Sequence, residues 1–123
     1  MFLDTHAVVF LHAGRLSEFS ELGRQLLESE PLAVAPLCVL ELQYLYEIQR
    51  IRYSAHSIIQ DLISDIGLQQ SGERAMEAAH IALGYTWTRD PFDRMIAASA
   101  QAAGERLLTK DATIRNHCSF AVW

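Results

Sequence analysis

Four carboxylic acids stand at points of the 123-residue chain where chemistry could be assembled: Asp4, Glu41, Asp93 and Asp111. Asp4 closes the short apolar run Phe2-Leu3, and Asp111 lies two residues beyond Thr109, at the end of another such run. In an open parallel sheet, ligands bind beyond the carboxyl ends of the strands, where strand order reverses. If these two runs are neighbouring strands at that point, their carboxylates converge; otherwise each simply caps the helix that follows it. Glu41 has Leu37, Cys38, Tyr44, Leu45 and Ile48 as its neighbours at helical spacing, while Gln43, Glu47 and Arg50 make the polar face. A carboxylate placed inside an apolar stripe is costly unless it is paired or bound to a metal. Asp90-Pro91-Phe92-Asp93 reads as a helix start, with Asp90 as N-cap and Pro91 at the first helical position. Asp93 then aligns with apolar Ile96, Ala97 and Ala100.

Carboxylates sharing one small site repel one another and hold protons unless a cation is present. Mg²⁺ and Mn²⁺ prefer oxygen ligands and keep waters that can be activated. One or two such ions can clamp a phosphate, lower the pKa of attacking water and stabilise the leaving oxygen. The pattern therefore predicts phosphodiester hydrolysis dependent on Mg²⁺ or Mn²⁺. Thr5 and Thr109 offer hydroxyl hydrogen bonds beside the acids, and Asp90 adds a further carboxylate. Arg89, Arg94, Lys110 and Arg115 flank the acids in sequence, suited either to phosphate contacts or to compensating helix ends. Catalysis by histidine is disfavoured. His6 and His12 share no helical face closely, His56, His80 and His117 lie in unrelated segments, and all five read as surface or packing residues.

The elements that must position these groups alternate short apolar runs with helical patterns, the signature of an α/β domain with a mostly parallel sheet. Phe2-Leu3-Asp4 reads as a first strand and Thr5 to Ala13 as a helix, with Gly14 at a left-handed C-cap. Ser17 opens a second helix that buries Phe19, Leu22 and Leu26. Leu32 to Ala35 is a second strand, followed by a helix from Pro36 to about Arg50 or Arg52. Ser54 caps the next helix, whose buried stripe is Ile58, Ile59, Leu62, Ile63 and Ile66. Gly67 to Gln70 is a third strand, Glu73 to Leu83 and Pro91 to Ala103 are helices, and Arg106 to Thr109 is a fourth strand. Ser119 to Trp123 offers a fifth.

Half of the residues are hydrophobic and a fifth charged, an ordinary globular composition for a single domain over 1–123. The net charge is −5, with nine arginines and a single lysine. That balance argues against a protein that coats nucleic acid by phosphate neutralisation, but leaves room for an enzyme whose metal supplies positive charge. Cys38 and Cys118 lack metal-ligand spacing and read as reduced packing residues. There is no leader-like start, and no apolar run approaches the ~20 residues that span a bilayer, so a cytoplasmic protein with no membrane partner is expected.

Four segments carry a resemblance: Phe2-Leu3-Asp4-Thr5-His6-Ala7; Glu41 within Val39-Leu40-Glu41-Leu42; Arg89-Asp90-Pro91-Phe92-Asp93-Arg94-Met95-Ile96-Ala97-Ala98; and Leu107-Leu108-Thr109-Lys110-Asp111. In this order, over essentially the whole chain, they resemble the PIN domain, and more narrowly the VapC-type toxins of bacterial type II toxin–antitoxin pairs. The resemblance implies a Rossmann-like three-layer α/β/α fold with four to five strands. It also implies metal-dependent endoribonuclease activity on structured RNA such as transfer or ribosomal RNA, a homodimer, and inhibition by a VapB-like antitoxin. The family's acids fall on Asp4, Glu41, Asp93 and, for the more variable fourth, Asp111. The chain departs from the pattern at Thr88, where relatives often have His, and at Ala35-Pro36, where a polar residue commonly precedes the glutamate helix. Among rivals, a phosphoacceptor receiver domain would need an aspartate ending the third strand, and Gly67 to Gly72 offers none. A haloacid-dehalogenase-type phosphatase would show Asp-x-Asp, and His6 occupies the second place. A non-catalytic interaction module that kept the fold is the remaining alternative.

Overall fold

The computed structural model describes residues 1–123. Five short parallel strands form one sheet: β1 (Phe2–Leu3), β2 (Ala33–Val34), β3 (Gln69–Gln70), β4 (Leu107–Leu108) and β5 (Ala121–Val122), in the spatial order β3-β2-β1-β4-β5. Seven helices connect them: α1 (Thr5–His12), α2 (Glu21–Ser29), α3 (Pro36–Glu47), α4 (Ala55–Ile66), α5 (Ala75–Ala82), α6 (Pro91–Ala103) and α7 (Ala112–His117). The chain steps outward from β1 through β2 to β3, then crosses back to β4 on the other side of β1. With right-handed crossovers this change of direction places helices on both faces, giving the three-layer α/β/α arrangement. The reversal lies between β1 and β4, where Phe2 pairs with Leu107 and Leu3 with Leu108.

The regular ladder is two residues per strand, shorter than the three to five residues expected; after β1 and β2 helix entry begins at once. Asp4 is already the N-cap of α1 and Ala35 that of α3. The core is built from Leu3, Val8, Val34, Leu42, Ile96, Leu107, Leu108 and Ile114, all fully buried. Six of the residues of α6 between Ile96 and Ala102 are buried, four of them alanines, so this helix lies close against its neighbours.

Several boundaries differ from expectation, each for a local reason. Ser17 does not open the second helix: Leu16–Glu18 is a 3₁₀ turn, and Ser20 caps α2 by accepting from the Gly23 amide at 3.0 Å. That places Phe19 in the core ahead of the helix and leaves Leu22 half exposed, with Gly23 and Leu26 on the buried face. Helix α3 stops at Glu47 rather than Arg50 or Arg52. Gln49 takes a left-handed φ of 61°, its amide reaches the Tyr46 carbonyl at 3.0 Å, and the Arg50 amide reaches Leu45 at 2.8 Å. This is a Schellman closure made without glycine, so composition gave no stop signal. Gly67 belongs to the end of α4, in the left-handed conformation, rather than to the third strand. Ile66, expected in the buried stripe of α4, is exposed beside it. No helix is long and apolar enough to cross a membrane.

Candidate active site

The four acids reach the reversal point from four elements. Asp4 follows β1; its Oδ1 accepts from the Thr5 amide at 2.8 Å and its backbone amide donates to the Leu108 carbonyl of β4 at 3.0 Å. Its Oδ2 accepts from the Thr109 hydroxyl at 2.6 Å. The Thr109 oxygen in turn accepts from the Asp111 amide at 3.1 Å. Asp111 spends Oδ1 on the Ile114 amide, at 2.8 Å, as the N-cap of α7. Both aspartates thus cap helices and also face the strand ends. The two expectations are compatible because each capping bond uses only one carboxylate oxygen.

On the other side of β1, the Thr5 hydroxyl donates to Glu41 of α3. The fully buried positions nearest Glu41 on this helix are Cys38 and Leu42, so Glu41 lies at the margin of the apolar face, half-buried rather than within it. Thr5 therefore touches Asp4 through its amide and Glu41 through its hydroxyl, while Thr109 ties Asp4 to the start of α7. The two threonines named as accessories hold the acids in place.

Asp90 takes the N-cap of α6, its Oδ1 accepting from the amides of Phe92 at 2.8 Å and Asp93 at 3.2 Å. Asp93 is thereby free of capping duty and sits half-buried in the first turn. Burial raises the carboxyl pKa of Asp93, and the neighbouring charges of Asp90, Asp4, Asp111 and Glu41 raise it further, to about 7. Burial likewise raises Asp4, against the lowering influence of the Thr109 hydrogen bond, with Asp111 adding repulsion. Glu41 is raised by burial and by Asp4 and Asp90, against its bond from Thr5. Five carboxylates, one more than the four proposed ligands, therefore feel one another at the carboxyl edge.

None of the five has a cationic ion-pair partner. The ion pairs of the molecule use Glu18, Glu30, Asp61, Glu77 and Glu105 instead. The basic residues named from sequence are turned elsewhere. Arg94 Nε donates to the Thr88 carbonyl at 2.8 Å and Arg89 to that of Thr86 at 3.1 Å, bracing the segment before α6. Lys110 pairs with Glu18 at 2.9 Å and lies over the rings of Phe10 and Trp123. His6, set aside in the sequence as a surface or packing residue, is exposed, and its charge favours ionisation of both Asp4 and Glu41. The signal that could have found it was its position two residues after Asp4.

Uncompensated carboxylates, with hydroxyl oxygens among them and no sulfur or ring nitrogen bonded into the set, suit a hard divalent cation. No three of the His, Cys, Asp and Glu side chains close around a single ion. Mg²⁺ keeps several waters and is usually held through one or two carboxylates, so an ion here would be held in part through its own waters.

Comparison with known proteins bears on the same chain. The family model described as PIN domain matches residues 1–118. The chain is 33% identical over 121 residues to Ribonuclease VapC22 of Mycobacterium tuberculosis (strain ATCC 25618 / H37Rv), covering 94% of this chain and 89% of that protein. Its backbone is similar to a solved structure of VapBC2 from Rickettsia felis bound to a DNA fragment from their promoter, with a TM-score of 0.65 at 15% identity, over 98% of this chain and 94% of the other. At that identity the likeness concerns the fold.

Proposed function

The chain belongs to the PIN-domain family, and from that premise we propose that it is a divalent-cation-dependent endoribonuclease, the toxin of a type II toxin–antitoxin pair. One observation carries the reading: the carboxylates of Asp4, Glu41, Asp90, Asp93 and Asp111 gather at one edge of the sheet without an ion-pair partner, and burial, with their mutual repulsion added, raises Asp93 to about 7. The relative named a ribonuclease supports RNA as the substrate class. Structured RNA, transfer or ribosomal, remains the proposed target.

Asp4, Glu41, Asp93 and Asp111 would hold Mg²⁺ or Mn²⁺. A bound divalent cation supplies Lewis-acid activation of water and neutralises phosphate charge. The chain's own residues do the rest. Thr109 and Thr5 orient the Asp4 and Glu41 carboxylates by direct hydroxyl donation. Asp90 fixes the start of α6 and so the placement of Asp93. The high pKa of Asp93 marks it as the group whose proton must leave when the site is loaded, which couples activity to pH. Hydrolysis would leave 5′-phosphate and 3′-hydroxyl ends.

A VapB-like antitoxin is proposed as partner because the structural neighbour is a VapBC assembly. A homodimer is proposed as well, supported by Met76 and Leu83, two large apolar side chains of α5 and its end that are about three-quarters exposed. A cytoplasmic location goes with an RNA target. The test is cleavage of total RNA by the purified protein with Mg²⁺ or Mn²⁺. Cleavage that persists in EDTA, or in Asp4→Asn/Asp93→Asn, overturns the mechanism, and a protein that neither binds the ions nor cuts RNA is the inert interaction module instead.

A further inference from the structure

We propose that Tyr44, stacked on Phe92, is a base-binding platform that positions a nucleotide flanking the cleaved phosphate. The inference rests on the ribonuclease reading and concerns how that site grips its substrate. Tyr44 lies one turn beyond Glu41 on α3, and Phe92 immediately precedes Asp93 on α6. Their rings stack with centroids 6.0 Å apart and planes 25° from parallel, joining the two helices that carry these acids. Phe92 packs against the core, whereas Tyr44 is 49% exposed. One ring is thus anchored and the other is held against it with much of its surface open to solvent. An aromatic side chain fixed in this way binds at little conformational cost.

The electrostatics explain why such a contact is needed here. RNA approaching this edge meets carboxylates, in a chain of net charge −5. Arg89 and Arg94 point at backbone carbonyls and Lys110 at Glu18. Beyond the cation that the acids would hold, affinity beside them draws on uncharged contacts, and a base offers an aromatic face whatever its identity. Other rings are already engaged: Trp87 stacks on His117 at 5.3 Å, 14° from parallel, with Tyr85 against it at 5.3 Å, and Phe10 and Trp123 lie under Lys110. Tyr44 is the ring left open beside two of the acids.

The test measures binding, so it does not depend on cleavage. The probes are a fluorescein-labelled octa-adenylate RNA and the same octamer with abasic riboses, titrated in Ca²⁺ against wild type, Tyr44→Ala and Tyr44→Phe. Stacking contributes roughly five- to hundredfold per base. Tyr44→Ala is expected to lose that much affinity for octa-adenylate, Tyr44→Phe to keep it, and the abasic octamer to bind wild type and Tyr44→Ala alike. Equal weakening toward both octamers, with a changed size-exclusion volume, would make Tyr44 an interface residue and overturn the proposal. Unchanged binding, or no binding of either octamer, overturns it too. A protein that shows the Tyr44-dependent pattern yet cuts no RNA keeps the platform and loses the ribonuclease reading. A ribonuclease indifferent to Tyr44 does the reverse.

Discussion

The Thr109 hydroxyl donates to Asp4 Oδ2 at 2.6 Å across the junction of the two central strands, joining residues 105 positions apart. Both residues are buried, and the same oxygen accepts the Asp111 amide at 3.1 Å. One hydroxyl therefore aims a carboxylate, favours its ionised form and anchors the turn that carries another.

Replacing Thr109 by valine keeps the volume and removes the donor, leaving a buried Asp4 oxygen without its partner. The expected loss is about 1–3 kcal/mol in urea unfolding at neutral pH. The Thr109 bond lowers the Asp4 pKa, so its removal raises it, and the acid limb of a cleavage profile moves to higher pH. Thr109→Ser restores the donor and brings the limb back. A Thr109→Val protein with wild-type stability and pH profile would show that the bond does neither.

Asp93 sets a second pH dependence. Its folded pKa of about 7 stands above the ordinary aspartate value of 3.8. The metal-free folded state therefore holds this proton more tightly than the unfolded chain. The stability it contributes is present below about pH 4 and is lost as pH rises through about 7. Asp93→Asn is expected to stabilise the metal-free protein at pH 8, on the order of 1–2 kcal/mol after allowing for solvent screening of a half-exposed group, and to do nothing at pH 4. Urea midpoints in EDTA at the two pH values measure this. A gain at pH 4 equal to that at pH 8 would mean that ionisation of this half-buried carboxyl is not the cause.

Asp90 separates capping from charge. Asp90→Ala loses both capping bonds and should cost about 1 kcal/mol. Asp90→Asn keeps an oxygen for the Phe92 and Asp93 amides and removes only the charge. It should hold near-native stability while Asp93, relieved of its largest repulsion, titrates at lower pH. Carboxyl chemical shifts of Asp93 across a pH series report this directly, and an unmoved titration in Asp90→Asn would contradict the electrostatic account.

The parts of this arrangement that were legible in the sequence are those written locally. An apolar run followed by an acid announced Asp4 and Asp111 at strand ends, and Asp90-Pro91 announced the start of α6 with Asp90 as its cap. The parallel sheet followed from alternation of runs and helical stripes. The rest depends on contacts between distant segments. That Thr5 would hold Glu41 is a meeting of α1 and α3 that no local pattern encodes. Gln49 ends α3 by adopting a left-handed conformation that its side chain does not advertise, so the helix was expected to run on. Ser17 and Ser20 are equal as capping letters. Burial of Phe19 ahead of the helix leaves Ser20 as the cap.

Cation binding is the sharpest remaining consequence of the acid cluster. A ligand that binds only the folded state stabilises it by RT ln(1 + [L]/Kd), about 2.7 kcal/mol at a hundred times Kd. Wild type should therefore melt higher in Mn²⁺ or Mg²⁺ than in EDTA at pH 8. At pH 5 the gain should shrink, because the raised pKa of Asp93 means that binding there must first displace a proton. Asp4→Asn/Asp93→Asn should lose most of the gain at pH 8. Asp61→Asn provides the matching control, since Asp61 is an exposed carboxylate paired with His12 at 2.8 Å and coupled to none of these acids. It removes one negative charge without touching the site and should leave the gain intact. If the double variant and the control respond to Mn²⁺ alike, the ion is screening net charge rather than binding at the strand ends, and these carboxylates are not a metal site.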